Sequence, residues 1–410
     1  MIYQYRFKIY FFLVLFFITS LLLIKAEYSL SISYKEALNL FVNHSILSII
    51  TNISTYFFGH NDLALRVPFI LLYALSSFMM FKITKNYFKY EKDRFINVLI
   101  FMTLPGVLSA ALLVNTAIIV MLFTLFYIYY YQKYQKHLYF ILPFLLFLDN
   151  SFAILFLGLL FFSLKTKDRL LLYLSSSLFF LSLYIYGFST DGRPRGFLID
   201  TVGIYSAIFS PVLFLYFLYA IYKKAFSKEI NLVWYISFTA LILSIVISFR
   251  QRVYIEDFAP FVVIALPLML KMFLNAYRVR LKEFRKTYNI FAILTIVMLF
   301  INVFLTFINK PLYYFLPEPK KHFVYQYHFI KEVASELKVK NINNILTDDK
   351  ELALRLRFYE IEEGENYFLS TKEFYNYDEK IVINYSGKDL FFVYIKKLKW
   401  EKHLFYLNLY

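Results

Sequence analysis

The sequence predicts a polytopic α-helical membrane protein: about eleven transmembrane helices, with a small C-terminal α/β soluble domain on the outer face. Two observations carry this. Of 410 residues 60% are hydrophobic and 22% aromatic, with 50 Phe, 38 Tyr and a mean hydropathy of +0.57, more apolar surface than one core can hide. Apolar runs of spanning length also recur along the chain, with basic residues confined to alternate connections.

Taken in order, Arg6 and Lys8 precede an apolar run from Ile9 to Ile24. No small-residue cleavage site of the A-x-A kind follows, so this reads as an uncleaved first helix. Spanning stretches lie near 8–25, 64–82, 95–114, 116–132, 138–148, 152–164, 170–188, 201–222, 230–249, 258–277 and 288–308. The fifth and sixth, separated by Asp149-Asn150-Ser151, are either two helices meeting in a tight turn or one long bent helix. Residues 1–310 form the transmembrane domain, with a long outer loop at 26–63.

Charge decides the sidedness. With the N-terminus inside and eleven spans, the inner segments hold 21 basic and 5 acidic residues. The outer segments before the tail hold 7 basic and 8 acidic residues, and the tail is nearly neutral. The net +16 is therefore the positive-inside bias, and no nucleic acid partner is needed to explain it. A bacterial inner membrane is expected, with the N-terminus cytoplasmic and the tail periplasmic.

Pro311, Pro317 and Pro319 punctuate the exit from the last helix, and residues 311–410 form the outer α/β domain. His322 to Val339 predicts an amphipathic helix, Asn344 to Thr347 a strand, Lys350 to Tyr359 a second helix, and Lys380 to Asn384 and Leu390 to Ile395 further strands. No glycine-rich phosphate loop occurs there.

The absence of cysteine excludes disulfides and thiolate metal sites. His44 and His60 have no second histidine at ligand spacing. Glu36 with Asp149 is a candidate pair for a divalent cation, the one cofactor considered.

Ionisable outer groups at helix ends are the candidates for chemistry. In the first loop, Tyr34-Lys35-Glu36-Ala37 precedes an amphipathic stretch, Leu38 to Tyr56. A carboxylate there can take the proton from an acceptor as it attacks an anomeric carbon, although Glu is also favoured at any solvated helix N-terminus. Arg193 and Arg195 follow the seventh span, and Arg250, Arg252 and Tyr254 follow the ninth. Guanidinium forks match the phosphate oxygens of a lipid headgroup; snorkelling, or pairing with Asp191, Glu256 and Asp257, is the alternative. Asn115, Asp149 and Asn150 occupy the shortest outer turns, as substrate contacts or as plain turn residues.

The order of these features resembles a known family. Phe58-Gly59-His60-Asn61-Asp62-Leu63-Ala64-Leu65-Arg66-Val67-Pro68 leads into the second span, Arg250 to Pro260 is a basic stretch between late helices, and the tail carries Leu354-Arg355-Leu356-Arg357-Phe358-Tyr359. This is similar to the family-39 membrane glycosyltransferases of the GT-C fold. The resemblance implies a polyprenyl-phosphate sugar donor, a lipid, glycan or protein acceptor at the outer face, inversion, and an acidic base in the first outer loop. Glu36 takes that role, with Lys35 and Arg66 beside it as substrate contacts. The family usually has adjacent Asp-Glu where this chain has Lys35-Glu36, an acidic residue where Asn115 stands, and a lysine where Asp149-Asn150 stand. A flippase or transporter, and an outer-face glycan ligase or polymerase, are the alternatives.

Overall fold

The computed structural model describes residues 2–187, 196–227, 230–385 and 387–398. The chain opens with α1 (Ile2–Ser29), α2 (Tyr34–Phe41), α3 (Ile46–Phe58) and α4 (Asp62–Ile83). It continues through α5 (Glu91–Thr103), α6 (Pro105–Leu112), α7 (Ala117–Tyr134), α8 (Ile141–Leu148), α9 (Phe152–Thr166) and α10 (Arg169–Tyr186). Then come α11 (Leu198–Phe209), α12 (Pro211–Ala225), α13 (Leu232–Ser248), α14 (Ile255–Val263), α15 (Leu266–Val279) and α16 (Lys286–Phe307). The remainder holds α17 (Leu312–Phe315), α18 (Ile330–Val339), β1 (Asn344–Thr347), α19 (Lys350–Phe358), β2 (Glu362–Ser370), β3 (Glu379–Tyr385) and β4 (Lys388–Lys397).

Among the described residues the protein is thus mostly α-helical, with four to seven candidate apolar spans and a small C-terminal mixed sheet. Arg6–Ser29, Asp62–Asn86, Arg169–Tyr186 and Lys282–Phe307 are each long and apolar enough to cross a membrane. Three helix pairs qualify only when joined across bends: 55° at α5–α6, 105° at α11–α12 and 43° at α14–α15. Pro105, Pro211 and Pro267 sit at the first or second position of the helix after each bend. A proline has no amide to continue the preceding helix and suits the first turn of a new one. Each stretch predicted to span is mainly helical among the described residues, but the expectation of about eleven spans exceeds what helix length supports. The eight residues of α8 rise about 12 Å, far short of a hydrocarbon core of about 30 Å.

The chain divides into two compact units, one of Met1–Leu23 with Phe69–Phe307 and one of Ile24–Pro68 with Ile308–Tyr410. The second unit thus holds the tail together with 24–68, which the sequence reading assigns to the transmembrane domain. The predicted loop 26–63 is mainly helical, and its amphipathic stretch Leu38 to Tyr56 is broken between α2 and α3. Ser33 and Glu36 close a reciprocal capping box at α2, and Ser45 caps α3, so each helix has its own start.

Inside the first unit, helices approach closely where side chains are smallest. A Cβ on Gly158 of α9 would stand 3.0 Å from the Cα of Ile236 on α13, and one on Gly106 of α6 would meet Ile208 of α11 at 2.5 Å. Two buried tyrosine hydroxyls are satisfied: Tyr73 donates to the Met102 carbonyl at 2.8 Å and Tyr205 pairs with Ser244 at 2.9 Å. An unsatisfied polar group costs most in an apolar interior.

The sheet of the second unit has the order β1-β2-β4-β3, parallel between β1 and β2 and antiparallel elsewhere. The expected helix from His322 starts only at Ile330, because residues 319–327 form two short 3-10 turns. Ile330, Val333, Ala334 and Leu337 of α18 pack with Leu352 and Leu356 of α19 and with Ile345, Leu369, Val393 and Ile395 of the sheet. Strand β2 has no apolar pattern in its first half, Glu362 to Asn366, and its pairing with β1 is irregular there, which leaves it without a strand signal in the sequence. Leu356→Ala should destabilise this unit by about 2–5 kcal/mol through the cavity it leaves. Faster amide exchange in β1, β2 and β4 is the expected readout; unchanged protection would remove Leu356 from the core.

Candidate functional site

Two polar centres hold the candidate residues, one in each unit. The first is built around Arg66, one turn into α4 and fully buried at 0% exposure. A buried guanidinium requires anionic or carbonyl partners on its donors. Arg66 Nη2 donates to Glu36 Oε2 at 3.2 Å and to the Ser31 carbonyl at 3.0 Å, and Nη1 donates to the Asp62 carbonyl at 3.1 Å and to its carboxylate at 3.4 Å. Glu36 and Asp62 are 2% and 1% exposed. Tyr359 donates to Asp62 Oδ1 at 2.9 Å, and Lys331 Nζ lies 3.2 Å from Asp62 Oδ2.

The strap Ser31–Ser33 threads this centre with its backbone satisfied from several elements. Ser31 N donates to the Tyr327 carbonyl at 2.8 Å, Ile32 N to Tyr359 Oη at 3.2 Å, and Ser33 N to Glu36 Oε2 at 2.9 Å. Arg355 Nε donates to the Ile32 carbonyl at 2.9 Å. Burial pushes the Tyr359 hydroxyl well above its ordinary range, reinforced by Asp62, so it acts as a fixed neutral donor. Burial lowers Arg355 from its usual value.

The same centre accounts for the Gly59-to-Pro68 motif. Gly59 ends α3 at φ +82°, a conformation open to glycine. Asn61 Oδ1 accepts from Ala64 N at 2.7 Å and caps α4. Pro68 leaves the Ala64 carbonyl without its helical donor, and Ser54 Oγ donates to that oxygen at 2.5 Å.

A histidine pair lies elsewhere in this unit. His328 Nδ1 is 2.9 Å from Tyr313 Oη, and His322 Nε2 is 3.0 Å from the Asn309 carbonyl. Burial, with Lys310, Lys25 and His322 nearby, lowers His328 from 6.5 to about 3.

The second centre closes one end of the first unit, where α8 meets α9 and α13 meets α14. Ser151 Oγ donates to Asp149 Oδ1 and lies 3.2 Å from Asp257 Oδ1. A hydroxyl has one proton to give, so Ser151 serves both carboxylates in full only when one of them is protonated and donates back. Tyr186, ending α10, donates to the Leu146 carbonyl at 2.9 Å, and Phe197 N donates to the Ser248 carbonyl at 2.8 Å. The ends of α10 and α13 and the start of α11 therefore share this end. Asp149 and Asp257 are half-buried, while Asn150, Arg250, Arg252, Tyr254 and Glu256 are exposed. Asn115, half-buried, accepts from Ala117 N at 3.1 Å and starts α7.

The structure thus brings Glu36 and Arg66 into one centre, with Lys35 exposed beside them, and brings Asp149 and Asn150 together with the Arg250–Asp257 segment in the other. Arg193 and Arg195 lie outside the described residues. Among the described residues no group of three or more His, Asp or Glu is placed to hold a metal ion. Asp62, Tyr359, Arg355, Lys331, Ser151 and Asp257 were missed as site residues; Asp62, Arg355 and Tyr359 stand inside the two quoted motifs, which were the available signal. No protein-family model matches the chain, and no curated protein is significantly similar to it, so the resemblance rests on its quoted residues alone.

Arg66→Met strands two buried carboxylates and should cost roughly 3–5 kcal/mol, read as lost yield and an earlier thermal transition; adding Glu36→Gln should recover part of the loss. Equal stability of Arg66→Met and the parent would show that the centre is not structural. Because the His328 pKa is depressed on folding, the unfolded chain binds more protons between 6.5 and about 3. Its contribution is fully present above that window and lost as pH falls through it. Calorimetry of the purified protein should show a transition falling from pH 7 to pH 4, and falling less in His328→Gln.

Proposed function

We propose that the protein is an inverting glycosyltransferase that moves a sugar from a polyprenyl-phosphate donor to a lipid, glycan or protein acceptor at the outer face of a bacterial inner membrane. The observation that carries this reading is the half-buried Asp149–Ser151–Asp257 arrangement at the helix end that also bears exposed Arg250, Arg252 and Tyr254. The ionised carboxylate takes the proton from the acceptor hydroxyl or amine as its lone pair attacks the anomeric carbon. The bond from that carbon to the phosphate oxygen breaks, and polyprenyl phosphate leaves as an anion held by the guanidinium groups.

A base must come within hydrogen-bond reach of the proton it removes. Glu36 at 2% exposure, already accepting from Ser33 N and Arg66, acts as base only if this packing opens. We therefore assign the proton transfer to Asp149 and Asp257, and to Glu36 a role in holding α2. The proposed sidedness survives the shortness of α8, since α8 and α9 can form a hairpin whose tip bears Asp149.

Asp149→Asn and Asp257→Asn should lower transfer from a polyprenyl-phosphate sugar by about 10²–10⁴-fold at normal protein yield. Arg250→Ala with Arg252→Ala should chiefly raise the donor KM. Full transfer by both Asn variants removes this carboxylate pair, and loss confined to a well-folded Glu36→Gln returns the base to the first loop. The cysteine-free chain allows a topology test: Lys320→Cys should react with a membrane-impermeant maleimide in intact cells, and Lys165→Cys should not.

A further inference from the structure

The opposite end of the first unit holds a cavity of about 1070 Å³, above the range of about 300–1,000 Å³ typical of small-ligand sites. It lies at the far end of α9 from Ser151. The fifteen residues of α9 put Lys165 and Thr166 about 20 Å from the carboxylate pair. Its floor is a hydrogen-bonded polar set. Gln132 Nε2 and Asn231 Nδ2 both donate to Tyr87 Oη, at 3.2 and 3.0 Å, and Asn86 Nδ2 donates to Gln132 Oε1 at 3.0 Å. These bonds join the turn after α4 to α7 and to the start of α13.

Four lysines line this cavity: Lys165 of α9, Lys223 and Lys224 of α12, and Lys271 of α15. No carboxylate lines it among the described residues, and none there forms an ion pair with Lys165, Lys223 or Lys271. The pattern differs at the neighbouring helix ends, where Arg94 is paired with Glu91 and Arg278 with Asp93. A topological charge bias requires lysines only somewhere on this side. It does not require four of them, from three helices, around one amide-floored cavity. The remaining wall is apolar, with Leu232, Leu268 and Met272 among its residues. Cations at the rim and hydrocarbon on the wall suit an amphiphile.

We propose that this cavity binds the phosphate of an anionic phospholipid headgroup, with the lysines on the phosphate and the roots of the acyl chains on the apolar wall. Basic pockets between membrane helices on the cytoplasmic side recognise such headgroups, each lysine contributing about 1 kcal/mol. The site is separate from the carboxylate end and does not depend on the chemistry proposed there.

The test uses the full-length protein in neutral detergent and short-chain phosphatidylglycerol as probe, with bound lipid read by native mass spectrometry. Lys165→Gln with Lys271→Gln, both exposed positions, should weaken binding by roughly 25-fold while the protein stays monodisperse. Lys89→Gln with Lys136→Gln, exposed lysines that do not line the cavity, should change it less than about twofold if the cavity acts locally. Phosphatidylcholine should bind far more weakly. Displacement of the probe by inorganic phosphate at equal concentration would support the phosphate site but assign it to a soluble phosphate compound; failure to displace supports the lipid. Equal losses in the two double variants, no loss in the first, or equal binding of phosphatidylcholine overturns the proposal.

Discussion

The second unit is organised by the need to keep one buried guanidinium neutralised. Arg66 has no access to water, and an isolated ion in that position costs several kcal/mol even after relaxation. Glu36 and Asp62 must therefore approach it, and each brings an element along. Glu36 is the third residue of α2, so holding it fixes the capping box and the start of that helix. Asp62 opens α4 one turn before Arg66 and carries Tyr359 from the end of α19. Residues some three hundred positions apart in the chain thus meet at one charge, which is why 24–68 and the tail form a single unit.

A different constraint governs the first unit. In an apolar surround every backbone amide and carbonyl has to be satisfied within the protein, so helices are obligatory and each interruption needs a cause. Pro105 and Pro211 supply two of them: Leu104 at φ −59° and ψ 128° adopts the extended geometry that a following proline favours, while Ser210 turns the chain at a positive φ of 80°. Hydroxyls and Asn97 are buried within helices, and the charged groups sit mainly toward the helix ends. Asp149 and Asp257 with exposed arginines gather at one end, and at the other four lysines and a set of amides line one cavity beside the Arg94–Glu91 and Arg278–Asp93 pairs. In the proposed reading the carboxylates with guanidinium groups serve a reacting phosphate ester, and the lysines, beside amides and with no carboxylate among the described lining residues, hold a resting anion.

The legible part of the fold was whatever a local pattern encodes. Apolar runs located the helices, and the alternation in Asn344 to Thr347 located β1. The bends at Pro105 and Pro211 were also written in the sequence, but a hydropathy window averages across a single residue and returns one straight span. Strand β2 was not legible, because Glu362 to Asn366 are held by neighbouring strands rather than by burial of their own side chains. Arg66 was legible as unusual, being a charge inside an apolar helix. Its distant contacts were not, since only Asp62 lies one helical turn away and nothing local ties Arg66 to Glu36 or Asp62 to Tyr359; the same holds for Asp149 and Asp257 in the other centre.

Exposure separates the two carboxylate centres in a way that residue type does not. In the first turn of α2, position 35 is exposed and position 36 is buried. Adjacent residues on a helix point in directions about 100° apart, and of these two only Glu36 faces the core. In the family that the sequence resembles, an adjacent Asp-Glu pair stands here. On the geometry of this chain the first of those positions meets solvent and the second meets the guanidinium. This chain keeps the buried acid and has Lys35 at the exposed position. Under the proposed function a carboxylate able to touch an acceptor then comes from another element, and the half-buried Asp149 and Asp257, beside exposed Arg250 and Arg252, are the ones to which we assign it. The departure at Lys35 is on this reading a relocation of the acid and not its loss.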